Sequence, residues 1–204
     1  MGARVVMRTL LALLIFCFTT TNALAAQRDV RPVDARSVEA DETWREARIR
    51  PQDPRLAELI RIGIARSATF RDIVRRLEAG NLIVYVSLNA NMRVGLAGKL
   101  TWMTKTGAFR YVRAAINTGQ ASNQMIATLA HELQHALEVG ADESVIDQRS
   151  LAGLYQRIGR PSNAGATVGF ETEAAHETGM QVRRELVASA AAAAAAGASD
   201  NAQS

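Results

Sequence analysis

The chain has 204 residues, with 24 Lys and Arg against 20 Asp and Glu, and 48% apolar residues. That balance suits a folded domain and excludes a disordered polyelectrolyte. Its single cysteine, Cys17, excludes a disulfide framework, and no long basic block marks nucleic acid as a partner.

The first segment reads MGARVVMRTLLALLIFCFTTTNALAA. Arg4 and Arg8 form a basic start, Leu10 to Phe18 an apolar core, and Ala23-Leu24-Ala25 a small-residue cleavage site. This is the pattern of a secretory signal peptide over residues 1–25, and the apolar run is far short of the roughly 20 residues that span a bilayer. Phe16 is too bulky for the residue before a lipidated cysteine. Cleavage near Ala25 removes Cys17 and lowers the net charge from +4 to +2, with 22 basic and 20 acidic residues remaining. The expected product is periplasmic or secreted, with no stable membrane span, and any metal site in it must use nitrogen and oxygen ligands.

Residues 26–54 are polar and charged, broken by Pro32, Pro51 and Pro54, and read as a leader or loosely attached arm. From 55 to 187 lie about 130 residues, the size of one compact domain. Arg55 to Ala79 carries Leu56, Leu59, Ile60, Ile64, Phe70, Ile73, Val74 and Leu77 at helical spacing, with a break near Ser67 and a stop at Gly80-Asn81. The run 82-LIVYVSL-88 predicts a strand, being short and rich in branched and aromatic residues. Segments 94–104 and 109–117 predict two more, joined as an antiparallel hairpin by Lys105-Thr106-Gly107. Ser122 caps a helix running to Val139 with Gly140 just past its end, and another helix covers roughly Glu143 to Ile158. A loop rich in Gly, Ser and Asn leads to a last helix from near Phe170. The final stretch, 188–204, is Ala-rich and lacks large apolar side chains, so it is expected to extend that helix only as a frayed, disordered tail. The predicted fold is α+β, a small antiparallel sheet packed with about four helices.

The chemistry concentrates in 131-HELQH-135, which holds two of the chain's three histidines. On a helix, positions i and i+4 share a face. Ile126, Leu129, Ala130, Leu133 and Leu137 form an apolar stripe, and His131 and His135 project from nearly the opposite side, toward solvent or a cleft. Two imidazoles one turn apart can hold one Zn²⁺, with Glu132 beside the metal but free to take a proton from a zinc-activated water that attacks a peptide carbonyl. The plainer alternative is a solvated helix face, since three fixed letters in five recur by chance. A catalytic zinc takes a third protein ligand. The metzincin positions for it hold Ala141 and, in place of glycine, Glu138, so that pattern fails. Downstream, Glu171 is followed three residues on by Ala174, at the expected start of a helix whose Ala174 and Ala175 permit close approach to the histidine helix.

On HELQH and Glu171-Thr-Glu-Ala the chain resembles the minimal gluzincin-type (HExxH…E) zinc metallopeptidases. The resemblance covers the histidine helix and the 169–186 segment only. It implies a zincin-like domain, Zn²⁺ held by His131, His135 and Glu171, Glu132 as general base, and a peptide or protein substrate. It also implies that strand 109–117 edges the cleft and pairs with an extended substrate. Glu173 is the rival third ligand, with Glu171 preferred on the ExxA spacing. His176 and Tyr111 are candidates to steady an oxyanion. Glu138 is a candidate to orient an imidazole, although its place on the helix favours a plain solvated charge. A non-catalytic periplasmic binding module keeping a zincin scaffold, with or without structural zinc, stands beside the enzyme reading.

Overall fold

The computed structural model describes residues 46–162 and 169–201, with side chains through 196. The segment expected to be a signal peptide, the expected leader up to residue 45 and most of the Gly/Ser/Asn loop lie outside the described residues. Asp53 starts the first helix, α1 (Pro54–Arg66): its carboxylate accepts from the Arg55 amide at 2.7 Å, and Pro54 supplies a preset φ in the first turn. The predicted break falls at Ser67. There the chain turns extended, and the Ser67 hydroxyl accepts from the Phe70 amide at 3.0 Å to begin α2 (Ala68–Glu78). Gly63 lets the two helices fold together, because a Cβ there would meet the Phe70 ring at 2.9 Å. Glu185 clasps the break from a distant helix. It accepts from the Ser67 and Thr69 hydroxyls at 2.6 and 2.7 Å, and despite the opposing effect of burial these bonds hold its carboxyl down to about 2.

Four strands form one sheet in the order β1-β2-β4-β3: β1 (Ile49–Pro51), β2 (Leu82–Asn89), β3 (Gly98–Thr106) and β4 (Phe109–Asn117). Gly107, at φ +58°, makes the β3–β4 turn as the first residue of a two-residue loop, the place a hairpin most needs glycine. The hairpin forms as expected, but the small antiparallel sheet expected from the sequence does not. The sheet is mixed, since β2 runs parallel to both β1 and β4. A parallel pair needs a crossover and leaves no local turn to read. Ile49–Pro51 also moves the end of the presumed leader into the folded sheet, and its proline is tolerated because β1 is an edge. Leu82, Val84 and Val86 of β2 and Val112, Ala114 and Ile116 of β4 face the helices and form one core with Ile60, Phe70, Ile126, Leu133, Val182 and Leu186. The alternate residues, among them Tyr85, Arg113 and Lys99, face the other way.

The histidine helix, α3 (Ser122–Ala141), runs across the inner face of the sheet. It starts from Ala121 without a side-chain cap and takes in Gly140. Its C-terminal end is held by Arg110 of β4, which is 2% exposed. The guanidinium donates to the carbonyls of Val139 (3.0 Å), Gly140 (2.8 Å) and Asp142 (2.7 Å) and to Asn81 Oδ1 (3.1 Å). A cation there also complements the negative end of the helix dipole. Arg110→Leu strands these buried acceptors and should cost about 3 kcal/mol, read as a lower urea midpoint. An unchanged midpoint would mean that water replaces the guanidinium.

A capping box of Asp147 and Ser150 opens α4 (Gln148–Ile158), later than the sequence suggests. A ribbon of β5 (Arg160–Ser162) and β6 (Gly169–Glu171) leads into α5 (Glu173–Asn201). The alanine run is thus helical and not a disordered tail. Alanine has the best intrinsic helix propensity, so the helix continues although its side chains from 187 to 196 are exposed or only partly covered.

Candidate metal centre

The helix phase that separates the apolar stripe from the histidines holds, but His135 is only 6% exposed. It faces a cleft of about 1250 Å³ together with His131, Glu132 and Glu171. Nε2 of His131 lies 3.0 Å from Glu171 Oε1, and Nε2 of His135 lies 3.9 Å from the same oxygen. One ligand atom from each of the three residues fits within 4.8 Å of the others. Ligand atoms around a tetrahedral Zn²⁺ stand roughly 3.3 Å apart, given metal–ligand bonds of about 2.0–2.1 Å. The observed separations bracket that value. Glu171 Oε1 is buried and makes no hydrogen bond of proper geometry among the described residues, although it points at two imidazoles. A buried carboxylate oxygen without a partner is costly, and a cation at the focus of the three atoms would satisfy it.

Glu171 does not sit on a helix, as the sequence suggested, but at the end of β6. Gly159 lets that strand cross the end of α4, since a Cβ there would meet the Glu171 carbonyl at 3.3 Å. Thr172 then starts α5, its hydroxyl accepting from the Ala175 amide at 3.2 Å. The rival Glu173 points away from the cluster into an exposed ion pair with Arg160 at 3.7 Å. On α5, Ala175 is fully buried, and Gly179 lies so close to α3 that a Cβ would meet His131 Cβ at 3.4 Å. Ala174 is exposed, so small residues bring the helices together at 175 and 179.

Glu138 is no solvated charge. Its Oε2 lies 2.8 Å from His135 Nδ1 and its Oε1 accepts from the Thr172 hydroxyl at 2.7 Å. With Nδ1 donating to Glu138, the Nε2 lone pair of His135 turns toward Glu171 and the cleft. Tyr155, which the sequence reading missed, donates to the His135 carbonyl at 3.0 Å and sets its ring edge-on to the imidazole at 5.1 Å. Its burial, with Glu138, Glu132 and Glu171 nearby, pushes the phenol well above its usual range. Thr172 and Tyr155 carry no local sequence signal, because each meets its partner across the fold.

Glu132 is 4% exposed and accepts a hydrogen bond from the Leu100 amide of β3. Gly98 makes room: a Cβ at that position would lie 2.5 Å from Glu132 Oε1. A glycine inside a strand is itself a signal of close approach, and here it went unread. Burial raises the Glu132 carboxyl above its usual range, with His135 and His131 opposing. Burial alone would lower His131, but the Glu171 carboxylate 3.0 Å away and the charges of Glu132 and Glu138 win and raise it. Burial would likewise raise Glu171, yet the close imidazole of His131, with His135 and His176 nearby, brings it below its usual value. Three carboxylates around two imidazoles create a negative potential suited to a cation.

The strand beside the cleft is β3, not β4. β4 is internal, paired on both sides, and β3 is the edge. Tyr111 lies on the outer face of the sheet, stacked on Tyr85 at 6.5 Å, and does not line the cleft. His176 does line it, exposed, one turn into α5. Among the described residues no helix is long and apolar enough to cross a membrane. No family model, curated protein or solved structure matches the chain.

Proposed function

We propose that this protein is an exported zinc-dependent metallopeptidase in which His131, His135 and Glu171 hold the metal. The observation that carries the reading is the unpartnered, buried Glu171 Oε1 converging with two imidazole nitrogens. Two histidines and a carboxylate also suit ferrous iron, so metal content is part of the test. The buried Glu132 next to the ligand set favours a hydrolytic zinc site, which needs a base at that place. When bound, zinc supplies Lewis acidity, polarising a carbonyl and making water acidic near neutral pH. Glu132 takes the proton from the attacking water and delivers it to the leaving amine, its carboxyl tuned upward by burial. Glu138 holds the His135 ring and its tautomer, and Tyr155 holds the backbone of the same residue. The free edge of β3 offers main-chain groups to an extended peptide lying along the cleft.

The test is metal analysis and reconstitution of the mature protein. Close to one zinc per chain is expected, and a chelator should abolish casein hydrolysis reversibly. Free zinc at about 100 times its dissociation constant should add ~2.7 kcal/mol of stability, raising Tm by about 8 °C. A protein that purifies without metal, gains no stability from zinc and cleaves nothing would overturn the proposal.

A further inference from the structure

The charged groups around the cleft are unevenly signed. Among the described residues the only acids lining it are Glu132 and Glu171, both already part of the candidate metal centre, while Lys99, Arg113 and Arg183 stand among the residues around it. All three are exposed, and among the described residues none has a side-chain ion pair or hydrogen bond. Their placement is ordered by the fold. Lys99 pairs with Ala115 and Thr101 with Arg113, so Lys99 and Arg113 are diagonal neighbours on one face of the β3–β4 hairpin. Alternation puts that face opposite Gly98 and Leu100, which meet Glu132, so the cleft continues over the β3 edge onto the outer face of the sheet. On the far wall, His176, Gly179 and Arg183 follow one stripe of α5, at helical spacing from the glycine that packs on His131. The four strands of the main sheet contain no Asp or Glu at all. Sequence scanning misses this patch because its cations are separated by 14 and 70 residues along the chain.

We infer that the cleft selects peptide segments bearing Asp or Glu on both sides of the reactive carbonyl, held by Lys99 and Arg113 on the sheet side and Arg183 on the helix side. This inference rests on the metallopeptidase reading for the position of that carbonyl, whereas the binding preference can be measured without turnover. Unpaired exposed cations beside a cleft attract carboxylates at long range and gain little from neutral side chains.

The experiment uses the full mature protein in two forms: wild type with chelator, and zinc-loaded Glu132→Gln. Binding of three labelled dodecapeptides is followed by anisotropy, their flanks carrying Glu, Gln or Lys. The Glu peptide should bind at least tenfold more tightly than the Gln peptide in dilute buffer, with the gap closing in ~0.5 M salt as screening shortens. Lys99→Glu, Arg113→Glu and Arg183→Glu should each weaken the Glu peptide about three- to tenfold. Lys105→Glu, the same change outside the cleft, should leave binding within about twofold, since screening confines each charge to its surroundings. Equal binding of the Gln peptide, an equal loss in Lys105→Glu, or equally tight binding of a single-stranded oligonucleotide would overturn the inference. Selective binding of the Glu peptide without any hydrolysis would sustain the acidic-peptide surface while overturning the peptidase reading. Hydrolysis of Glu and Gln peptides at equal kcat/KM would do the reverse.

Discussion

Glu132→Gln should leave zinc bound and lower hydrolysis by about 10²–10⁴-fold, the range expected when a general base is lost. The substitution keeps the shape of the side chain in a place where shape is tightly constrained. Gly98 leaves only enough room for the present carboxylate, and the Leu100 amide already donates to it. A glutamine oxygen can accept that bond, so β3 need not move. What the amide cannot do is take up a proton. Glu132 is not among the three groups that converge on the metal position, so metal content should not change. The same residue makes a second expectation with the opposite sign. Burial raises the Glu132 carboxyl, which means that the folded protein works against its ionised form at neutral pH. Removing that charge should therefore raise the Tm of the metal-free variant even as activity disappears, the pattern of a site held at a cost to stability. Activity equal to the parent in a zinc-loaded Glu132→Gln protein would remove Glu132 from the proton transfer.

The parts of this molecule that were legible in its sequence are those set by short-range rules. The helix period separated the core stripe of α3 from His131 and His135, the break at Ser67 follows from capping chemistry, and Gly107 marked the hairpin. The α+β architecture follows from these elements. The parallel pairing of β2 with β1 and β4 was not legible, because parallel strands are joined through distant segments with no turn signature. Ile49–Pro51 is too short to show alternation. At the site, spacing favoured Glu171 over Glu173, and Glu171 is the one that meets the two imidazoles, but spacing held no reason for that placement. Glu171 is placed by the β5–β6 ribbon and by Gly159, and Thr172 turns the chain into α5 just after it. Glu138 showed the limit most clearly. Alone on its helix it looks solvated, and only Thr172, 34 residues away, reveals it as a buried link between two walls of the site.

That link sets up a graded series for the metal ligands. Glu171→Ala removes one of three converging atoms and should weaken zinc by more than the ~10–100-fold that losing an outer partner costs. Glu138→Gln should fall within that ~10–100-fold range, since it leaves all three ligands but loosens the His135 ring. Glu173→Ala should change nothing, because its carboxylate is half exposed and paired with Arg160 outside the cluster. Competition with a chromophoric chelator measures all three on one scale. The order distinguishes a built site from an accidental meeting of side chains. An adventitious ion would be held by whichever carboxylate is nearby, and Glu171→Ala would then lose little. A designed fit predicts the steep order Glu171, Glu138, Glu173, because Glu138 and Thr172 tie the helix bearing both histidines to the strand bearing the third ligand. Loss of zinc in Glu173→Ala, or its retention in Glu171→Ala, would reassign the ligand set and with it the orientation of any substrate in the cleft.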